Sequence, residues 1–303
     1  MKMSRPLIAC LATLTALIAA PGSAGAATQV GQTLTPSGTC ISSYTWLQSQ
    51  SSAPSDGVIT GWDYQAGASN VPQLKFKVGR LVSGSTYRIV GESGAVTPDA
   101  STLNHYLVRI PVKAGDLIGF YTVTGGGCDT SNPSFTELTT LGDVAPGAQA
   151  GFSSPAGYEM DVSASLEPDA DHDGFGDETQ DKCVGTTGPY NGCPNTATID
   201  RVKQKGTKPK VKVTTTVPGA GTLQAGSAND ASLASASAST SLKPVSQAIT
   251  SFGKQQVTLT LKLTKSAKKK LADKGKLKAQ VKVVYTPEGG PAGSQTTKVK
   301  LKS

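Results

Sequence analysis

Residues 58–78 read VITGWDYQAGASNVPQLKFKV, and this stretch decides the fold class. Val58 to Tyr64 and Leu74 to Val78 each alternate apolar and polar residues, the period of a pleated strand with one buried face. Between them lies a run rich in Gly, Ala, Ser, Asn and Pro, the chemistry of a turn. The rhythm recurs outward at roughly ten-residue spacing through Thr86 to Val90, Tyr106 to Val112, Leu117 to Val123 and Met160 to Leu166. It predicts an all-β, jelly-roll-like sandwich over residues 28–166. Val112 to Leu117 (VKAGDL) is expected to be a hairpin-type turn.

A second set of alternating runs follows. Lys210 to Val217 (KVKVTTTV), Gln256 to Leu263 (QVTLTLKL), Lys276 to Tyr285 and Thr296 to Lys302 carry Lys on one face and Val or Leu on the other. Thr264 to Lys274 is the single expected helix, with Thr264 or Ser266 as cap, Ala267 and Leu271 on one face and Gly275 as terminator. This order implies an immunoglobulin-like sandwich with a helical crossover over residues 197–303. Ala225 to Ser241 is low-complexity Ala/Ser, expected as a loop or degenerate hairpin.

Charge divides the chain at the same boundary. Residues 28–195 hold 7 Lys plus Arg against 17 Asp plus Glu, a net of −10, whereas residues 196–303 hold 20 against 4, a net of +16. The N-terminus carries Lys2 and Arg5, an apolar run from Leu7 to Ala20 and the small-residue site Ala24-Gly25-Ala26. That is the three-part pattern of a secretory signal peptide over 1–26, which predicts an exported chain with no transmembrane segment. Leu7 to Cys10 (LIAC) looks like a lipoprotein box, but it opens the apolar run where such a box should close it. Cys10 leaves with the leader, so Cys40, Cys128, Cys183 and Cys193 remain. An even count in an oxidising compartment implies two disulfides. Of three possible pairings, Cys40–Cys128 and Cys183–Cys193 keep each bridge inside one segment.

Residues 167–196 lack strand or helix periodicity and carry the most specific chemistry. Asp169, Asp171 and Asp173 occupy positions 1, 3 and 5 of a short loop, Gly174 supplies the sharp turn at position 6, Phe175 offers a carbonyl at 7, and Asp177 stands at 9. Hard oxygen donors at this spacing predict Ca²⁺, whereas Zn²⁺ would require imidazole and thiolate ligands. His172 falls between ligand positions and is not counted. Asp169 to Cys183, DADHDGFGDETQDKC, resembles a thrombospondin type 3 repeat, D-x-D-x-D-G-x-x-D-x-x-D-x-C. The resemblance implies ligands at Asp169, Asp171, Asp173 and Asp177. It departs at position 12, where Gln180 stands and Asp181 and Cys183 each come one residue late. Asp181, Glu178 or Gln180 is left to close the shell, with Asp181 preferred. The wider layout resembles secreted two-domain proteins of actinobacteria, which implies the architecture and no activity.

Catalytic signatures are missing. HExxH, GxSxG and a phosphate loop do not occur, Ser266 to Lys269 (SAKK) is a chance SxxK in a Lys-rich helix, and Asp56, Asp63, Glu92 and Asp116 show no pairing cue. The expectation is a non-catalytic surface- or matrix-associated protein. Its basic half would meet an anionic wall polymer or polysaccharide. Nucleic acid is not expected, with only Phe252 and Tyr285 available to stack. The alternative is carbohydrate binding by Trp46, Trp62, Tyr64, Tyr87 and Tyr106, residues that the strand pattern equally places in a core.

Overall fold

The computed structural model describes residues 26–154, 156–205, 209–228 and 241–303. The expected signal peptide lies outside the described residues except for Ala26, as do residues 229–240 of the Ala/Ser-rich stretch. The described residues are all-β with one short helix, and their apolar residues form separate cores in the two halves.

The first half runs β1 (Thr28–Gln32), β2 (Thr39–Cys40), β3 (Tyr44–Ser52), β4 (Gly57–Gln65), β5 (Leu74–Ser83), β6 (Thr86–Glu92) and β7 (Leu103–Val112). It continues with β8 (Leu117–Thr122), β9 (Gly126–Gly127), β10 (Asp129–Leu141), β11 (Gln149–Gly151), β12 (Ala156–Met160) and β13 (Val162–Glu167). A four-stranded antiparallel sheet, β1-β13-β4-β7, packs on a seven-stranded one, β11-β6-β5-β8-β3-β10-β12. Between them Trp62 stacks on Phe76 at 5.4 Å and touches Tyr106 at 4.7 Å. The sequence alternation of β4 and β5 thus becomes facing walls of one core. A small bridge pairs β2 with β9, and Cys40–Cys128 locks it with Cα atoms 5.7 Å apart.

Three local readings change. Val112 to Leu117 is not a hairpin turn: β7 belongs to one sheet and β8 to the other, so the chain arches across the sandwich. The arch is held by Asp116, which accepts the Lys113 N–H at 2.8 Å and takes Arg80 Nε and Nη2 at 2.7 and 2.6 Å. Met160 to Leu166 is likewise not one strand. The chain crosses between sheets at the buried Asp161, which accepts the Leu34 N–H at 2.7 Å. Alternation also places Lys75 and Lys77 outward, yet Lys77 is fully buried, bonded to Glu92, Asp143 and the Val144 carbonyl. A second, smaller cluster of Leu47, Ile89, Leu117, Leu138 and Phe152 explains this, because Val144 and Ala150 pack over that side of the seven-stranded sheet.

Glu137 on β10 is buried opposite Gln48, and one of its oxygens has no hydrogen-bond partner. Burial, aided by the charge of Asp129, pushes its pKa up from 4.5 to about 8. The folded-state value lies above the unfolded one, so the folded chain holds the extra proton between these limits. The associated stability is present below the unfolded value and is lost as pH rises through the folded one. Relative to Glu137→Gln, the wild-type domain should lose a few kcal/mol between about pH 5 and pH 8, at roughly 1.4 kcal/mol per unit. Urea denaturation followed by tryptophan fluorescence checks this; parallel pH profiles for the two proteins would contradict it.

The second half runs β14 (Thr198–Gln204), β15 (Lys210–Val217), β16 (Gly221–Ser227), β17 (Val245–Ile249), β18 (Gln255–Lys262), α1 (Lys265–Lys274), β19 (Lys276–Pro287) and β20 (Gly293–Lys302). Sheet β14-β15-β18 faces sheet β17-β16-β19-β20, and α1 carries the chain from one to the other, the immunoglobulin-like arrangement expected. Thr264 caps α1 by accepting the Ala267 N–H, Ala267 and Leu271 face the core, and Gly275 ends the helix at φ 65°. Ala225 to Ser227 lie within β16 and are not loop.

Candidate metal centre

Residues 168–196 fold back on themselves without sheet or helix, held by turn-type backbone bonds such as Asp181 N–H to the Gly176 carbonyl at 2.8 Å and by side chains. Asp169 accepts the N–H groups of Asp173 and Gly174 at 3.1 and 3.0 Å, which curls the loop, and Gly174 takes the turn at φ 86°. Asp173 accepts the N–H of Phe175 and, across the loop, that of Gly188, both at 3.1 Å. These bonds bring carboxylate oxygens of Asp169, Asp171 and Asp173 within 4.8 Å of one another. Both Asp171 oxygens are buried and have no hydrogen-bond partner. Burial first, then the charges of Asp173 and Asp169, raises the Asp171 pKa, and the nearby Asp173 backbone N–H offsets part of that rise without reaching hydrogen-bond geometry.

Asp177 and Asp181 lie outside that close triad but within its field. Asp177 is buried, accepts the Ala170 N–H at 3.3 Å and is raised by burial and by the charges of Asp169 and Asp173. Asp181 is buried too. It accepts the Cys183 N–H at 2.6 Å, and its other oxygen has no partner. Burial, with the charges of Asp173, Asp171 and Asp177, pushes its pKa up to about 7. Of the rivals for the closing position, Glu178 accepts the Ala27 N–H at 2.7 Å, and Gln180 donates its amide N–H to the Val108 carbonyl at 2.7 Å while its side-chain oxygen, like that of Asp181, is buried without a partner. His172 is not in the triad; it lines an open cleft of about 700 Å³ with Arg80 and Lys113. Phe175 places its ring under the Arg109 guanidinium at 4.0 Å.

Glu167 is a residue the sequence reading missed. At the end of β13 it is buried, and it accepts the N–H groups of Glu178 and Thr179 at 3.0 and 2.9 Å and the hydroxyls of Thr60 and Thr179. It anchors the far side of the loop to the first sandwich. A Cβ on Gly176 would come within 2.5 Å of the same carboxylate, so only glycine fits there. The spacing before the acidic run, with Glu two residues ahead of Asp169, was the available signal. On the other side, Cys183–Cys193 closes the segment. Lys182 accepts the Ala220 N–H at 3.2 Å through its carbonyl and sets its ammonium over Phe252, tying the segment to the second sandwich.

The other candidates have structural partners. Trp46, Trp62 and Tyr64 are buried, and Tyr87 and Tyr106 are half-buried against Phe152 and Trp62. The five therefore form no exposed platform for a sugar ring. Asp63 meets His105 Nδ1 at 2.7 Å, Asp56 accepts the Ala114 N–H at 2.9 Å, and Glu92 and Asp116 serve Lys77 and Arg80. Among the described residues no helix is long and apolar enough to cross a membrane. Compared with protein-family models, with curated proteins and with solved structures, the chain matches none.

Proposed function

We propose that this is an exported, non-catalytic surface- or matrix-associated protein in which a calcium loop stiffens the joint between two β-domains. The observation that carries the reading is Asp171: a carboxylate with both oxygens buried and no well-formed hydrogen bond, held between two further carboxylates. Unpaired anions in such a place are costly, and a cation removes the cost. Asp169, Asp171, Asp173, Asp177 and Asp181 with the Phe175 carbonyl supply only oxygen, which suits Ca²⁺. Asp181 is the preferred closing ligand, since its free oxygen carries charge whereas the free Gln180 oxygen belongs to a neutral amide. The two disulfides suit an oxidising compartment.

The loop touches both sandwiches through Glu167, Gln180 and Lys182, so ordering it restricts their relative motion. Without a cation the acidic run repels itself and has little apolar content to order it. Affinity should fall near 10⁻⁴ to 10⁻³ M, on the order of other extracellular modules. Limited proteolysis tests the proposal. Calcium should slow cleavage around residues 170–182 at least severalfold relative to chelator, with both sandwiches intact. Equal cleavage rates would sink it.

A further inference from the structure

The stretch that bears the candidate ligands is attached to the two sandwiches unequally. Among the described residues, the hydrogen bonds that leave residues 169–181 for either half of the chain all go to the first: Glu178 and Thr179 to Glu167, Gln180 to Val108, and Glu178 to Ala27. Bonds to the second sandwich begin only at Lys182, whose carbonyl accepts the Ala220 N–H. The central attachment is Glu167, the last residue of β13, paired with Val58 of β4. Its Oε2 accepts the N–H groups of Glu178 and Thr179, and its Oε1 accepts the hydroxyls of Thr60 at 2.9 Å and Thr179 at 2.7 Å. A carboxylate has about four lone-pair sites, so these donors fill it and leave none for a cation. An amide in its place would set two N–H donors against groups that themselves donate. The turn that Glu167 holds carries two of the candidate ligands. Asp177 precedes Glu178 and donates its N–H to the Pro168 carbonyl at 2.9 Å, and Asp181 donates to the Gly176 carbonyl at 2.8 Å. The packing is tight, since a Cβ on Gly176 would also lie 2.6 Å from Thr60 Cγ2.

We infer that Glu167 is the positioning residue of the metal site, and that through it calcium stabilises the first sandwich while leaving the second at its own stability. This rests on the calcium reading above and adds which domain responds to the metal. A ligand that binds only the folded form stabilises whatever unit must fold to make its site. Asp177 and Asp181 take their places only when residues 176–179 are bonded to Glu167. Glu167 takes its own place only when β13 pairs with β4, where Thr60 reaches it. The site and the first sandwich therefore form together. The second sandwich has no bond to residues 169–181 among the described residues, so its folding does not wait on the site. Residues that act behind the ligands in this way commonly matter to metal affinity almost as much as the ligands do.

The test uses the full chain with calcium alone as the ligand, and follows the first sandwich through Trp46 and Trp62. In wild type, calcium at about 100 times its dissociation constant should raise the urea midpoint seen by fluorescence by about 1 M. Amide hydrogen exchange should slow about threefold or more at β13 and at residues 176–181, and change less than about 1.5-fold at β15 and β18. Glu167→Gln should weaken calcium binding, measured by calorimetry, about tenfold or more. At the same calcium concentration its midpoint shift should shrink to about half or less. Thr60→Val removes one of the four bonds but neither N–H contact. It should lower the calcium-free midpoint yet leave calcium affinity within about threefold, which separates positioning from general loss of stability. Calcium affinity unchanged in Glu167→Gln would make Glu167 a structural residue only, and equal slowing of exchange in both sandwiches would overturn the assignment of the responding domain. Should Glu167→Gln fail to fold, the wild-type midpoint and exchange pattern still decide. A wild-type midpoint unmoved despite calcium binding ends this inference and leaves the calcium joint standing, whereas no calcium binding by wild type ends both.

Discussion

In calcium-free buffer Asp171→Asn should raise the unfolding temperature of the protein, and in excess calcium the same substitution should lower it relative to wild type. Without metal, Asp171 adds a third negative charge to a site where neither of its oxygens makes a well-formed hydrogen bond. Like charges about 4 Å apart repel by roughly 1 kcal/mol even at the dielectric of water, and the amide removes that repulsion while adding N–H donors. With calcium at about 100 times its dissociation constant, binding stabilises the wild type by about 2.7 kcal/mol. The variant, missing a central ligand, should gain almost none of this. The crossing of the two curves is the diagnostic result, read by differential scanning calorimetry with and without chelator. A substitution that acts in the same direction under both conditions would mean the triad is a structural acidic cluster and not a metal site.

Removing Cys40–Cys128 should cost the first sandwich about 4 to 5 kcal/mol, since the bridge spans 88 residues and closes the longer of the two loops. Cys183–Cys193 spans only 10 residues and should be worth nearer 3 kcal/mol. The effects separate cleanly in the full chain. Both tryptophans of the protein, Trp46 and Trp62, are buried in the first sandwich, so their fluorescence reports that domain alone. Cys40→Ala with Cys128→Ala should move the urea midpoint seen by fluorescence far to lower denaturant. Cys183→Ala with Cys193→Ala should leave that midpoint nearly in place and expose the joint to proteases. A fluorescence shift below about 1 kcal/mol for the first pair would show that β2 and β9 are already held by the sheets around them.

Much of this protein was legible residue by residue. Alternation marked β4, β5, β15, β18, β19 and β20, because the pleat puts neighbours on opposite faces whatever the strand pairs with. Thr264 and Gly275 marked both ends of α1, since capping is chemistry within one turn. The 1-3-5 aspartates and Gly174 marked the loop for the same reason, and Asp169, Asp171 and Asp173 do come together. Other features depended on segments far apart in the chain. Alternation put Lys77 outside, and only residues 143–150 folding over that sheet bury it. Val112 to Leu117 has the composition of a hairpin, yet which sheet β8 joins is set by its pairing with β3 and β5. Glu167 became the anchor of the loop because β13 ends beside Thr60. Each lysine of β19 and β20 was visible in its own strand, but that Lys278 faces Lys300 is a matter of register, and register is fixed by which apolar faces share a core. Local sterics write strands, caps and loop spacing into the sequence directly. Partners and burial are long-range and exist only once the chain has closed on itself.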